Sequence, residues 1–475
     1  VLLIAAGGTT NVTVGGNYSQ TGGLAVISRN GGGARSMSVT GNVTISGGTL
    51  DIDVVGGTNA YTLNVGGNLD VQSGGTLTGS FGTRTIVFNG TGAQQFSVTG
   101  TFSGTVGLEL NNTNGLTINN AISVGGTTVR LTAGTITHSG NLTILTGATI
   151  TRTAGNFATA PTFGGTVSLT YANASPMSPG NEMPGTNVIA ALSTAGGSST
   201  LTLPTSLSIT TLTVSGSNVT INSGVTVTAS STGSISATKT LQIDGTYIAG
   251  AALTNSGTMN VGSTGTYRHA HTTGTIPTAT WATGSTCEVT GAVGGTPAGL
   301  GQSFHHFTWN CTGQTGTISL GGLLTTINGD FNILSTGTIS GSNNGLRLLS
   351  SGTGALDVLG NLNITSSGST DSKLDICGGG TMVLNLFGNV TINQTANTAF
   401  IKRNGGTATI NFKKASGTQT ITSNAATGLN TNPIVFNVGT GGTTNTLQMA
   451  SDMALNATST VAVLSGSSLS CGTYV

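Results

Sequence analysis

Four of the five histidines, both tryptophans and two of the four cysteines fall between residues 267 and 311. His269-Ala-His271 sets two imidazoles on one face of a strand, and His305-His306, Cys287 and Cys311 follow within about two repeats of the pattern set out below. Histidines and cysteines gathered in this way are ligands for Zn²⁺ or Cu²⁺. The segment has no Cys-x-x-Cys, no His-Glu-x-x-His and no regular ligand spacing. Packing of His and Trp on a broadened outer face is therefore the preferred reading, with no metal and no other cofactor expected. Cys287 and Cys311 are separated by close to one repeat, which would stack them closely enough for a disulfide. Cys377 and Cys471 have no comparable partner and read as small apolar fillers. Trp281 and Trp309 are candidate platforms for gripping sugar rings.

Paired carboxylates act as acid and base or hold Ca²⁺. Asp51 and Asp53 are two apart and read as pointing outward together. Asp70, the only other acid nearby, falls over Thr44 when the repeats are aligned, and Asp357 falls over Asn385 and under Thr326. The acids do not stack, so no catalytic residue is assigned and a solvated outer face is expected. There is no Gly-x-x-x-x-Gly-Lys loop and no nucleophile elbow. Asn-x-Thr/Ser sequons occur at Asn42, Asn141, Asn218, Asn363 and Asn389, but Thr and Asn are so common that chance explains them.

These side chains must be positioned by a nine-residue phrase, apolar–x–apolar–x–Gly–Asn–apolar–x–apolar. It occurs over 37–45 and 63–71, more loosely over 12–20, and again over 356–364 and 384–392. Alternating apolar residues describe a strand with one buried face, and Gly-Asn is a corner in which Gly accepts positive φ and Asn a left-handed turn. The N-terminal copies begin at Val12, Met37 and Leu63, and the C-terminal pair at Leu356 and Leu384. That period is too short for a propeller blade of about 40–45 residues. It predicts an all-β fold, a parallel β-helix (β-solenoid) of about 25–30 residues per coil, roughly 16–19 coils in all. Asn17, Asn42 and Asn68 would stack as a ladder of amides along one corner, and Val43 and Ile45 would sit under Leu69 and Val71.

Composition agrees. The chain has 475 residues with 78 Gly, 36% apolar and only 5% charged residues, so a core can form while helical patterning is lacking. Thirteen Lys/Arg against twelve Asp/Glu leave no basic field for nucleic acid. No run of 18 apolar residues offers a membrane-spanning helix. Val1–Ala6 reads as a strand, and a chain without obvious caps reads as a segment of a longer polypeptide. The unit Phe88-Asn-Gly-Thr-Gly-Ala-Gln-Gln-Phe96 has a counterpart in Phe412–Ile421, so the chain runs twice through one plan. Pro176, Pro179 and Pro184 mark a loop or junction, because proline cannot donate to a ladder. The expected organisation is a solenoid over 1–171, a proline-containing junction over 172–200, a solenoid over 201–323 that includes 267–311, and a solenoid over 324–475 repeating the first.

The phrases in 1–85 and 324–400, the Phe…Gly-x-Gln units, and the segments Thr280–Cys287 and His306–Cys311 resemble large secreted surface proteins of Bacteroidetes and related bacteria. Those are adhesin-like chains of Gly/Thr/Asn-rich repeats, often exported by the type IX secretion system. The resemblance implies export, a parallel β-helix, and cell-surface or fibre roles. The function expected is that of a secreted, structural, non-enzymatic protein: a rigid rod serving as extracellular fibre subunit or adhesin stalk. Its partners would be further copies end to end, or cell-surface and matrix glycans. A glycan-binding module around Trp281 and Trp309 is the alternative, and a β-helix polysaccharide lyase or hydrolase a third, disfavoured by the scattered acids. Regular threonine ranks of the ice-binding kind are broken here by drifting coil length.

Overall fold

The computed structural model describes residues 2–471 apart from 6–10, 29–32, 54–58, 126–127, 186–187, 198, 339–344, 367–368, 396, 426–428, 431, 440–443, 452–454 and 456–457. The ends of two expected strands, Val1 and Ala6 of the first and Val54 of the strand begun at Leu50, lie outside the described residues. The fold is all-β, a parallel β-solenoid of about 18 turns with about 23 residues per turn. The chain divides into two compact units, Val1–Thr220 and Ile221–Val475.

In the first unit, Met37–Val39 stacks on Val12–Val14 and under Leu63–Val65, and Val43 and Ile45 pair with Leu69 and Val71. Those last four side chains are fully buried, one column of the aliphatic core. Alternation puts every second residue inward, and continuous ladders join each coil only to its neighbours, so stability is a sum of coil-to-coil contacts.

The Gly-Asn corner works differently from the sequence reading. Gly41 and Gly67 do not have positive φ; a Cβ at Gly41 would lie 2.3 Å from Asn17 Oδ1, and one at Gly67 2.4 Å from Asn42 Oδ1. Glycine is needed there because the asparagine of the neighbouring coil occupies the space. Nor do the amides pair with one another. The Asn42 N–H donates to Asn17 Oδ1, and the Asn68 N–H to Asn42 Oδ1, each at 2.8 Å. The rank ends where the Gln95 N–H donates to Asn68 Oδ1. The second unit repeats the device. Asn361 N–H donates to Asp330 Oδ1 at 2.7 Å, Asn389 N–H to Asn361 Oδ1, and Thr420 N–H to Asn389 Oδ1. Because Asp330 serves as well as an asparagine, only the side-chain oxygen matters. Asn42→Ala is expected to cost about 1 kcal/mol and Asn42→Asp less than about half of that, checked by urea denaturation of the two variants side by side.

Both units also plug a corner with glutamine. Gln94 Nε2 donates to the Val65 and Gly67 carbonyls, and Gln419 Nε2 to those of Leu386 and Gly388. This is the double plan seen in the sequence, now with its physical content.

Coil length is where the expectation needs correcting. Coils in both units are as long as the phrase predicts, one coil carrying Val12 to Met37 and another Leu362 to Val390. In the second unit, however, Thr226, Thr246, Thr266 and Thr286 stack in turn, a shorter coil than any read from the phrase. Shorter strands as well as shorter corners account for the difference: Thr226–Ala229, Gly233–Ile235 and Thr240–Ile243 have four, three and four residues, against five and nine in Arg35–Val39 and Val43–Asp51.

Candidate functional site

The short coils decide what becomes of the segment 267–311. Cys287 stacks between Tyr267 and Phe307, while Cys311 lies four residues beyond Phe307, its Sγ 3.4 Å from the Val289 carbonyl. Both thiols are free and buried, so the expected disulfide is not formed. Their spacing would have paired them in a coil of the longer kind, and this coil is shorter. Burial pushes both thiols up, Cys311 to about 12, which leaves them protonated and unreactive. Cys377 is buried, and its Sγ contacts the Gly379 carbonyl; Cys471 is exposed.

Trp309 does not lie on an outer face. It is 0% exposed, sits in register between Val289 and Ile333, and its Nε1–H donates to Gln314 Oε1 at 2.9 Å. The ring has no surface to offer a sugar. Trp281 is half-buried, edge-on to Phe304 at 4.9 Å, and its Nε1–H donates to Gln302 Oε1.

The histidines form two pairs. His269 is fully buried and its ring centroid is 3.9 Å from that of His271. Burial, with His271 beside it, holds His269 down to about 4. His305 and His306 lie with centroids 4.4 Å apart, and His306 Nδ1 accepts the Asp330 N–H. Among the described residues no group of three or more His, Cys, Asp or Glu is placed to hold a metal ion. Tyr247 and Tyr267 stack in the same coils at 6.3 Å, and burial raises both phenols above their ordinary value. In the unfolded chain these groups ionise near pH 10. Above that pH the unfolded state binds fewer protons, so stability falls as pH rises, by about 1.4 kcal/mol per pH unit for each tyrosine. Urea titrations from pH 11 to 12 should approach this slope, and Tyr247→Phe with Tyr267→Phe should remove about 2.8 kcal/mol per unit of it.

The acids fall in the register expected of them. Asp70 pairs with Thr44, and Asp357 with Thr326 and Asn385. Asp357 heads an outward rank in which the amides of Asn385, Asn411 and Asn437 each donate to the side-chain oxygen one coil back, at 2.6–2.8 Å. Asp51 and Asp53 are corrected: they are 7% and 0% exposed. The strand ends at Asp51, so Asp53 turns inward and pairs with Arg84. The Arg84 guanidinium lies 4.8 Å from the centre of the Tyr61 ring. Outward alternation stops where the strand stops.

Two polar clusters escaped the sequence reading. In the proline loop, Glu182 is fully buried, and its Oε1 accepts from Arg152 Nη1 (2.7 Å), Tyr171 Oη (3.0 Å) and the Gly180 N–H (2.8 Å). Beside it lies a cavity of about 370 Å³ walled by Pro179, Met183, Pro184, Ile189, Pro204 and Leu207. None of its walls is titratable. In the second unit the strand Ser372–Cys377 is buried on both faces. Arg347 Nε donates to Asp375 (2.7 Å), Lys373 Nζ to Asp371 (2.6 Å), and Asp375 pairs in register with Lys402. Burial lowers the Lys402 amine to about 8. Part of the signal was available: in a chain with 5% charged residues, Asp371, Lys373 and Asp375 stand at alternate positions.

Compared with family models, with curated proteins and with solved structures, the chain finds no match.

Proposed function

We propose that this chain is a structural segment of an extracellular or cell-surface protein, a β-solenoid that serves as a fibre subunit or adhesin stalk. One observation carries the reading. Five of the side chains with chemical potential are spent inside the stack: Trp309, Cys287, Cys311, His269 and Asp53 are all buried, and the Asn and Gln ranks bond coil to coil. A polypeptide that uses its polar groups to join neighbours is built for stiffness along the stack. The small number of charges suits a surface that meets other copies or polysaccharide without electrostatic steering. Burial of Trp309 takes one of the two aromatic platforms from the glycan-binding alternative, and nothing in the geometry favours that reading over the structural one.

Protease treatment of intact producing cells tests the location. Release of peptides from this chain before lysis is expected, and release only after lysis would overturn the proposal. Electron microscopy of the released material then separates the two roles: filaments with the chain repeating along the axis mark a fibre subunit, and separate particles of finite length a stalk.

A further inference from the structure

Within 267–285, five polar atoms are buried without a hydrogen-bond partner: Tyr267 Oη, Nδ1 and Nε2 of His269, Nε2 of His271 and Ser285 Oγ. Native proteins pair their buried polar atoms, and each exception needs a physical reason. His269 stands out, because a neutral imidazole carries one N–H and one lone pair and neither is used. In the stack it lies between Ala249 and Val289, and its closest ring neighbour is His271, centroid to centroid at 3.9 Å. Charging such a ring would add a second N–H with no acceptor and a charge with no counterion. The other titratable groups on the strands packed against it offer none. Tyr247, Tyr267 and Cys287 are neutral, their protons held on by burial. Glu288, the one acid on those strands, is taken by Arg268 at 2.6 Å and by Asn310. His271 would itself bring a like charge. The second histidine pair differs, since the Asp330 carboxylate lies 3.8 Å from His306 Nδ1.

We propose that these coils form an acid-operated breakpoint in the second unit. When His269 and His271 take protons, the strands Thr246–Ala249, Thr266–His269 and Thr286–Val289 part, while Leu362–Thr365 and Val390–Asn393 stay closed. The direction follows from where the ring holds its proton. In the opened chain His269 is protonated near pH 6.5, and in the closed stack only near 4. Below pH 6.5 the opened state therefore binds more protons, and closure weakens as pH falls towards 4. Burial lowers His271 in the same direction. His271 is half-buried and His269 fully buried, so the proton enters at His271. A solenoid couples each coil to its neighbours, so the loss stays local. The strands at 362 and 390 face inward with Leu362, Ile364, Val390 and Ile392, and none of these titrates.

The test is amide exchange on the whole chain, read as protection factors so that the intrinsic pH dependence of exchange cancels. Between pH 6.5 and 4.5 protection in the three strands should fall by more than about tenfold. In Leu362–Thr365 and Val390–Asn393 it should change by less than about twofold. In His269→Leu the three strands should keep their protection over the same range. Magnetic resonance of ring-labelled histidine in the parent decides the matter if His269→Leu does not fold: the His269 ring should stay neutral in the closed protein down to pH 5. A fall spread evenly over the second unit would overturn the proposal, as would an equal fall in His269→Leu. So would a His269 ring that takes its proton near pH 6.5 with no loss of protection.

Discussion

Trp309→Ala is expected to destabilise the second unit by about 3–5 kcal/mol. The indole is 0% exposed and lies in register between Val289 and Ile333. Its removal takes away the largest buried side chain of the fold and opens a cavity that neighbouring coils, tied by ladders on both sides, cannot close. A second cost comes from Gln314. Its Oε1 accepts the indole N–H, while its Nε2 donates to the Gly316 (2.6 Å) and Gly345 (3.0 Å) carbonyls. Without the indole the amide oxygen is a buried acceptor with no donor, worth about 1–3 kcal/mol. Trp309→Phe separates the terms, because it keeps most of the volume and loses only the N–H. It should cost about 1–3 kcal/mol. Urea denaturation gives both values. Amide exchange should localise the damage to strands His306–Asn310 and Phe331–Ser335, since a solenoid couples nearest neighbours. A loss under about 1 kcal/mol for Trp309→Ala would mean that the ring is not part of the core.

The same residue shows what the sequence makes legible. Register follows from a local period, so wherever the Gly-Asn phrase recurs the stacking of Leu69 on Val43, of Asp70 on Thr44 and of Asn385 on Asp357 can be read directly. Trp309 and Cys311 lie where the phrase is absent and the coil is shorter. Threonines at 226, 246, 266 and 286 spell that shorter period out, but a rank of threonines is hard to see among so many. Applied there, the longer spacing puts Cys311 on Cys287, where the structure puts Phe307. The buried charges were hidden for another reason. Alternation separates inward from outward residues, but it does not say whether an outward face is then covered. Ser372–Cys377 is buried on both faces, so alternation by itself does not reveal that Lys373 and Asp375 are covered. Asp53 and Glu182 sit in corners and loops, where alternation has no meaning.

Glu182→Ala is the second large effect, and it bears on how a proline-broken segment is held to a stack of strands. Prolines 176, 179 and 184 remove ladder donors, so the loop needs another attachment. One carboxylate oxygen supplies it by accepting from Arg152, Tyr171 and the loop's own Gly180 N–H. Arg152 further donates from Nε to the Gly155 carbonyl and from Nη1 to that of Ser178. The pair is withdrawn from water, with side-chain exposures of 14% and 1%. Deleting one partner strands the other, at about 3–5 kcal/mol, whereas replacing both with apolar residues of similar volume is often neutral. Glu182→Ala should therefore be the costly single change, and Arg152→Met should recover part of the loss in the double variant, most of it if the stranded guanidinium is the main penalty. The phenol gives a second readout. The negative charge of Glu182 and its hydrogen bond both raise Tyr171 beyond what burial does alone. In Glu182→Ala the Tyr171 phenol should titrate at lower pH than in the parent, measured by ultraviolet absorbance on the folded protein. A double-mutant cycle with no coupling, together with an unmoved phenol, would show that the loop is held by its apolar wall, Met183, Pro184 and Ile189, rather than by its carboxylate.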